Sequence, residues 1–281
     1  MSHIFNAAGE GFAELEGELV AARCVVVVGL PGMGKSFWVR RMAAAAAAGG
    51  RPVHLLQWDI ARLAWDTPEI LERFPEVNGI THAAIRGALG MWVRGALARW
   101  FQSHAAGRDL LIVEAPVIGG RFSELAKRAD DPAETHLVDP RTLCVIVAPT
   151  TQLQGELRRR RAEESLTRAD ALERHNASLA VLDVQLAAVE HVAQLWGHTP
   201  SAPGTYDPEL YVLVMREVLR HRHVRVMRPA ALVHAGGSVY DFPPEVLRIQ
   251  ASAEEVRAST AAAARQLDKL RAEVDFGWAL V

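Results

Sequence analysis

An unbroken apolar strand running straight into Gly29-Leu30-Pro31-Gly32-Met33-Gly34-Lys35-Ser36 constrains this chain more than any other feature. The octet fits G-x-x-x-x-G-K-[ST] without a gap. Ahead of it lies Cys24-Val25-Val26-Val27-Val28. Behind it, Lys35 to Ala48 ends in a run of alanines, strong helix formers, and stops at Gly49-Gly50. Glycines let the backbone turn its amide hydrogens inward around an anion, and the following helix presents the positive end of its dipole. Together they make a cradle for phosphate. Gly29, Pro31, Gly32, Met33, Gly34, Lys35 and Ser36 are therefore the candidate nucleotide-binding residues. Lys35 would bridge the outer phosphates of ATP, and Ser36 would offer its hydroxyl to Mg2+.

Further apolar runs recur at Val53–Trp58, Leu110–Val113, Thr142–Ala148 and Val224–Met227, separated by stretches long enough for helices. With Cys24–Gly29 they make five strands. The alternation implies an α/β fold, a mostly parallel five-stranded sheet in three α/β/α layers of the P-loop type. A second helix is expected over about Thr81–Ser103. The segment His198–Pro208 reads as a loop. Two long amphipathic helices, with seams at Leu172–Trp196 and Ile249–Val274, close the pattern. Their narrow seams pack either on the chain's own sheet or on a second subunit, and the latter gives the expectation of a homodimer. Cys24 and Cys144 both sit in strand runs and read as small core residues rather than a disulfide.

A net charge of −2 over 281 residues argues against a protein that coats nucleic acid. No apolar run approaches the roughly 20 residues of a membrane span. The N-terminal stretch lacks a basic flank followed by an apolar core. A cytoplasmic protein is the expectation, with no nucleic-acid polymer and no membrane among its partners.

Ligands of open parallel sheets lie beyond the carboxyl ends of the strands, so those ends nominate the remaining chemistry. Asp59 follows the second strand. Glu114 ends the third and is followed by Pro116, two glycines and Arg121. The fourth leads into a helix bearing Arg158–Arg161. Glu114 would hold Mg2+ beside Ser36, and Asp59 lies where an acceptor hydroxyl could lose its proton. Arg121, Arg158 and Arg161 could neutralise a transferring phosphoryl group. Each has a plainer reading. Asp59 could cap a helix starting at Ile60. The arginine run, interleaved with Glu156, Glu163 and Glu164, could be a salt-bridged surface helix. His82 and Arg86 could meet an acceptor but read more simply as helix residues; Trp58, Trp65, Trp92 and Trp100 could stack on a flat molecule but read more simply as core; Gly236–Phe242 reads as an adenine contact or a turn.

With GLPGMGKS, Asp59, Glu114, Arg121 and the arginine run in place, the chain resembles the P-loop small-molecule and nucleotide kinases. These include nucleoside monophosphate kinases, shikimate kinase, and kinases of the zeta-toxin and chloramphenicol-phosphotransferase type. The resemblance covers roughly residues 22–235. It implies a kinase-like domain over 1–243 with a helical lid at about 151–200, followed by a helical extension over 244–281. It also implies transfer of the γ-phosphoryl group of ATP to a hydroxyl or phosphate of a small molecule or nucleotide, with Asp59 as acceptor-side carboxylate. The string "EAPVIGGRF" lacks the Asp-Gly-x-Pro-Arg of adenylate kinases, which speaks against AMP as the acceptor. The competing class is a P-loop ATPase with a regulatory or mechanical role. The third strand ends in Glu114-Ala115 rather than the paired Asp-Glu usual in the AAA group. The Asp-x-x-Gly and Asn-Lys-x-Asp strings of GTPases do not occur in suitable places.

Overall fold

The computed structural model describes residues 12–77, 79–105, 107–165, 179–231, 242, 245–268, 270 and 278–279. Helix α1 (Phe12–Ala21) precedes β1 (Cys24–Val28), the phosphate loop and α2 (Lys35–Ala48). Then come β2 (Val53–Gln57), α3 (Trp58–Arg62), α4 (Pro68–Arg73), α5 (Ala83–Ser103) and β3 (Leu110–Ala115). The chain continues through α6 (Pro132–Leu137), β4 (Thr142–Val147), α7 (Thr151–Ser165), α8 (Leu179–Leu195) and α9 (Pro208–Val218). It ends with β5 (His223–Met227), β6 (Val246–Arg248) and α10 (Ala253–Arg265).

The strands form one parallel sheet in the order β5-β4-β1-β3-β2-β6 with helices on both faces. β1 to β4 are buried along their whole length, which is why they read as continuous apolar runs rather than alternating ones. The sheet has six strands, not the five expected. β6 has only three residues, two of them exposed, so it carries no apolar signature. It lies in the segment read as a helical extension and pairs with β2 at the sheet edge. Cys24 and Cys144 are buried free thiols. Among the described residues no helix is long and apolar enough to cross a membrane.

Among the described residues, both long seams pack largely within the chain. On α8, Val181, Leu182, Leu186, Val189, Val192 and Ala193 are buried, and the helix packs on α9 and on the turn at Ile118–Gly120. α10 lies along α5, burying Val256, Ser259 and Ala263. It starts at a capping box in which Ser252 and Glu255 bond each other's backbone amides. The described parts of both seams have partners within the chain, and the homodimer stays an expectation. Leu172 and its neighbours to residue 178, and Val274, lie outside the described residues.

Beyond the apolar core, a buried ionic cluster ties α5 and α6 to β5. Arg94 pairs with Asp131 and Glu134, and Glu134 also meets Arg222, whose side chain is fully covered. Arg94 and Asp131 bond each other at 2.6 and 2.9 Å, and the Arg94 hydrogen bonds hold the Asp131 carboxyl below its usual range. Burial by itself would raise Glu134, but the hydrogen bonds from Arg222 and Arg94 outweigh it and leave this carboxyl low. A carboxyl held low in the folded chain stabilises above its unfolded pKa, and that contribution disappears as pH falls through the folded value. Glu134→Ala, which strands a buried guanidinium, should cost about 3 kcal/mol at neutral pH. In urea titrations the deficit should shrink as pH falls below 4.5, the ordinary glutamate value. A deficit independent of pH would show that the charge plays no part.

Candidate functional site

Parallel pairing sets the site. Glu114 stands in register with Val27 of β1 on one side and Gln57 of β2 on the other. Its carboxylate accepts from Ser36 Oγ at 2.7 Å and from Gln57 Nε2 at 2.8 Å. It is 6% exposed. Burial pushes its pKa up, against the opposing pull of Lys35 and the two donors. Lys35 is equally covered, and its ammonium donates to the Leu30 carbonyl at 2.9 Å across the loop. Burial lowers its pKa, with Glu114 and Asp59 acting the other way. An ammonium at this place is a strong charge-assisted donor to an anion held in the loop.

The loop glycines have specific reasons. Gly32 and Gly34 sit at φ +75° and +81°, in the left-handed region. At Gly29, a Cβ would lie 3.0 Å from the Tyr211 hydroxyl on α9. At Gly32 it would lie 3.4 Å from Leu182 and 3.5 Å from Arg161, so α7 and α8 close over the loop.

Facing the loop is a second wall. Asp59 and Arg121, with Trp58 and Pro116, line the same cavity of about 70 Å³ as Pro31, Gly32, Lys35, Ser36, Glu114 and Arg161. Arg121 is 7% exposed. Burial lowers its pKa to about 10, with Asp59 opposing, so it remains a cation at neutral pH. Its loop is held in strain. Val117 and Phe122 have φ of +66° and +59°, conformations that cost non-glycine residues about 1–3 kcal/mol each. The Val117 amide donates to the Arg121 carbonyl at 2.8 Å, and Arg86 donates to the Gly119 carbonyl at 2.7 Å. Trp58 packs edge-on against Phe122, with ring centroids 5.0 Å apart.

The sequence candidates therefore separate. Lys35, Ser36, Glu114, Asp59, Arg121 and Arg161 meet at one cavity, while Gly29, Met33 and Gly34 shape the loop around it. Asp59 is not a cap. α3 begins at Trp58, which puts Asp59 in its first turn. The arginine run is divided among roles. Arg158 pairs with Asp183 of α8 at 2.6 Å, whereas Arg159 and Arg160 bond Glu156 on their own helix. Arg161 alone of the four reaches the cavity. His82 caps α5, its Nδ1 accepting from the Ala84 amide. Trp65 and Trp92 pack on each other in the core, and Trp100 is likewise buried. Gly236–Asp241 lies outside the described residues. Gln57 and Tyr211 were missed. Gln57 had a signal, being a polar residue ending an otherwise apolar run next to Asp59. Tyr211 had none.

No protein-family model and no curated protein matches the sequence. Among solved structures, the chain is similar to Kti12 of Chaetomium thermophilum in complex with ADP-AlF3, at 13% identity over 86% of this chain and 97% of that one, with a TM-score of 0.33. So weak a likeness carries no argument about activity. What identifies the architecture is internal to the chain: a buried parallel sheet whose central strand feeds the glycine loop, with an acidic strand end beside it, is a P-loop nucleotide-binding fold.

Proposed function

We propose that the protein is an ATP-dependent phosphotransferase that moves the γ-phosphoryl group to a hydroxyl or phosphate of a small molecule or nucleotide. One observation carries this reading. A carboxylate, Asp59, and a buried cation, Arg121, line the same cavity as Lys35 and Ser36 of the loop. Transfer needs charge neutralisation around the moving phosphoryl group and a base on the acceptor side. Lys35, Arg121 and Arg161 supply the first, and Asp59 supplies the second. α7 and α8, lying over the loop, act as the lid.

The oxygens of Ser36 and Glu114, 2.7 Å apart at the loop, are the hard donors that Mg2+ prefers. They would hold it, Ser36 directly and Glu114 directly or through water. When bound, the ion would neutralise charge on the phosphate oxygens. Burial raises the Glu114 pKa, and a further cation beside it would favour the charged carboxylate.

The test follows γ-labelled ATP with a panel of sugars, nucleosides, nucleotides and hydroxylated antibiotics. One acceptor should speed ATP consumption well above the basal rate and carry the label. Label released only as inorganic phosphate, at a rate no acceptor changes, would replace this reading with the ATPase alternative.

A further inference from the structure

At the opposite end of the sheet from the phosphate loop, three side chains with metal-ligating atoms converge. His54 is the second residue of β2, Asp109 immediately precedes β3, and His104 caps the C-terminus of α5. Because the strands run parallel, these positions lie at their amino ends, whereas Asp59 and Glu114 lie beyond or at their carboxyl ends. One ligating atom from each of the three falls within 4.8 Å of the others. We propose that His54, His104 and Asp109 bind a zinc ion that staples the α5–β3 connection to the start of β2.

Four observations support it. First, the His104 Nδ1 meets the Trp100 carbonyl at 2.8 Å and must donate there, which leaves Nε2 with its lone pair available. A ring nitrogen anchored on a carbonyl is the usual second contact of a zinc-ligating histidine. Second, His54 Nε2 stands 3.3 Å from Asp109 Oδ1, close to the roughly 3.3 Å that separates two ligands of a tetrahedral zinc with bonds near 2.05 Å. The proton between them moves to His54 Nδ1 through solvent when the ion takes its place. Third, Asp109 is turned inward by design of the chain. A Cβ at residue 107 would lie 2.1 Å from Asp109 Oδ2, so Gly107 is what lets the carboxylate sit there.

Fourth, the backbone that carries the ligands is pinned. Arg23 donates to the His104 carbonyl, and Arg51 donates to the carbonyls of Arg108 and Asp109. The stacking of His104 on Trp100, with centroids 4.9 Å apart, fixes the ring further. Two imidazoles and one carboxylate suit zinc, whereas Mg2+ and Ca2+ require more oxygen ligands. A fourth position is left for water.

The full-length protein, freed of metal with chelator, is titrated with Zn2+ by calorimetry and with Co2+ by visible absorption. One equivalent of each should bind. Co2+ should develop the intense bands of a tetrahedral site, and Zn2+ at a hundredfold excess over its Kd should raise Tm by about 5 °C or more. His104→Gln and Asp109→Asn should each weaken Zn2+ at least tenfold and abolish the cobalt bands. Both should keep the wild-type circular dichroism. Should a variant fail to fold, the wild-type cobalt spectrum decides alone. No tetrahedral cobalt spectrum, or zinc binding undiminished in folded variants because exposed histidines hold it, would overturn the assignment. None of these readings depends on nucleotide turnover.

Discussion

Lys35→Ala should lose ATP turnover by about 10²–10³-fold or more, the scale of deleting one preorganised electrostatic contact to a developing charge. The fold should not suffer with it. In the folded protein Lys35 is a buried cation whose pKa burial pulls down from 10.5. The folded chain therefore binds fewer protons at this site than the unfolded chain between the lowered value and 10.5. Stability rises with pH across that window. Removing the group lifts the burial of one charge, at the expense of the hydrogen bond to the Leu30 carbonyl and of the cation beside buried Glu114. Without nucleotide, Tm of the variant should stay near that of the wild type, and the upward drift of stability with pH should flatten. Calorimetric ATP titration and thermal melts on the same samples check both halves. Wild-type ATP affinity and turnover in the variant would remove the loop from the mechanism.

Asp59→Asn should retain ATP binding and lose phosphoryl transfer by about 10²–10⁴-fold, the usual worth of a positioned base. Asparagine keeps the shape of the cavity wall but cannot accept the proton. Glu114→Gln, by contrast, leaves the acceptor side alone and weakens the cation side, so it should shift the Mg2+ dependence to higher concentration. The two variants separate the walls of a cavity that all their side chains share. If Asp59→Asn transfers label like the wild type, the acceptor is not activated from this side.

The loop was fully legible because its chemistry is local. Eight contiguous residues and a flanking strand and helix specify the cradle wherever it is embedded. The buried strands were legible for a related reason: complete burial on both faces demands uninterrupted apolar runs, and β1 to β4 have them. β6 was invisible because a three-residue, half-exposed edge strand needs no apolar pattern, only a neighbour's backbone to pair with. The seams of α8 and α10 were correctly read as apolar, but periodicity states that a face is covered and not by what. Leu182 covers the phosphate loop and Val256 packs toward α5, two answers that no spacing distinguishes.

The arginine run makes the same point at the scale of single residues. Four consecutive arginines on a helix point around its axis about 100° apart, so their fates must differ. The composition of the run permitted a lid or a surface helix. The packing of α7 against α8 and the loop turned Arg161 to the cavity, Arg158 to Asp183, and the middle pair to Glu156. By itself, then, the sequence determined the phosphate cradle, the parallel sheet and the nomination of Asp59, Glu114 and Arg121. Only the tertiary structure decided which side chains share a cavity. It also placed Gln57 and Tyr211 against the site and brought His54, His104 and Asp109 together across 55 residues of chain. The physical reason is range. Backbone geometry and burial write themselves into contiguous residues, whereas convergence of side chains depends on strand register and helix rotation, which belong to the folded whole.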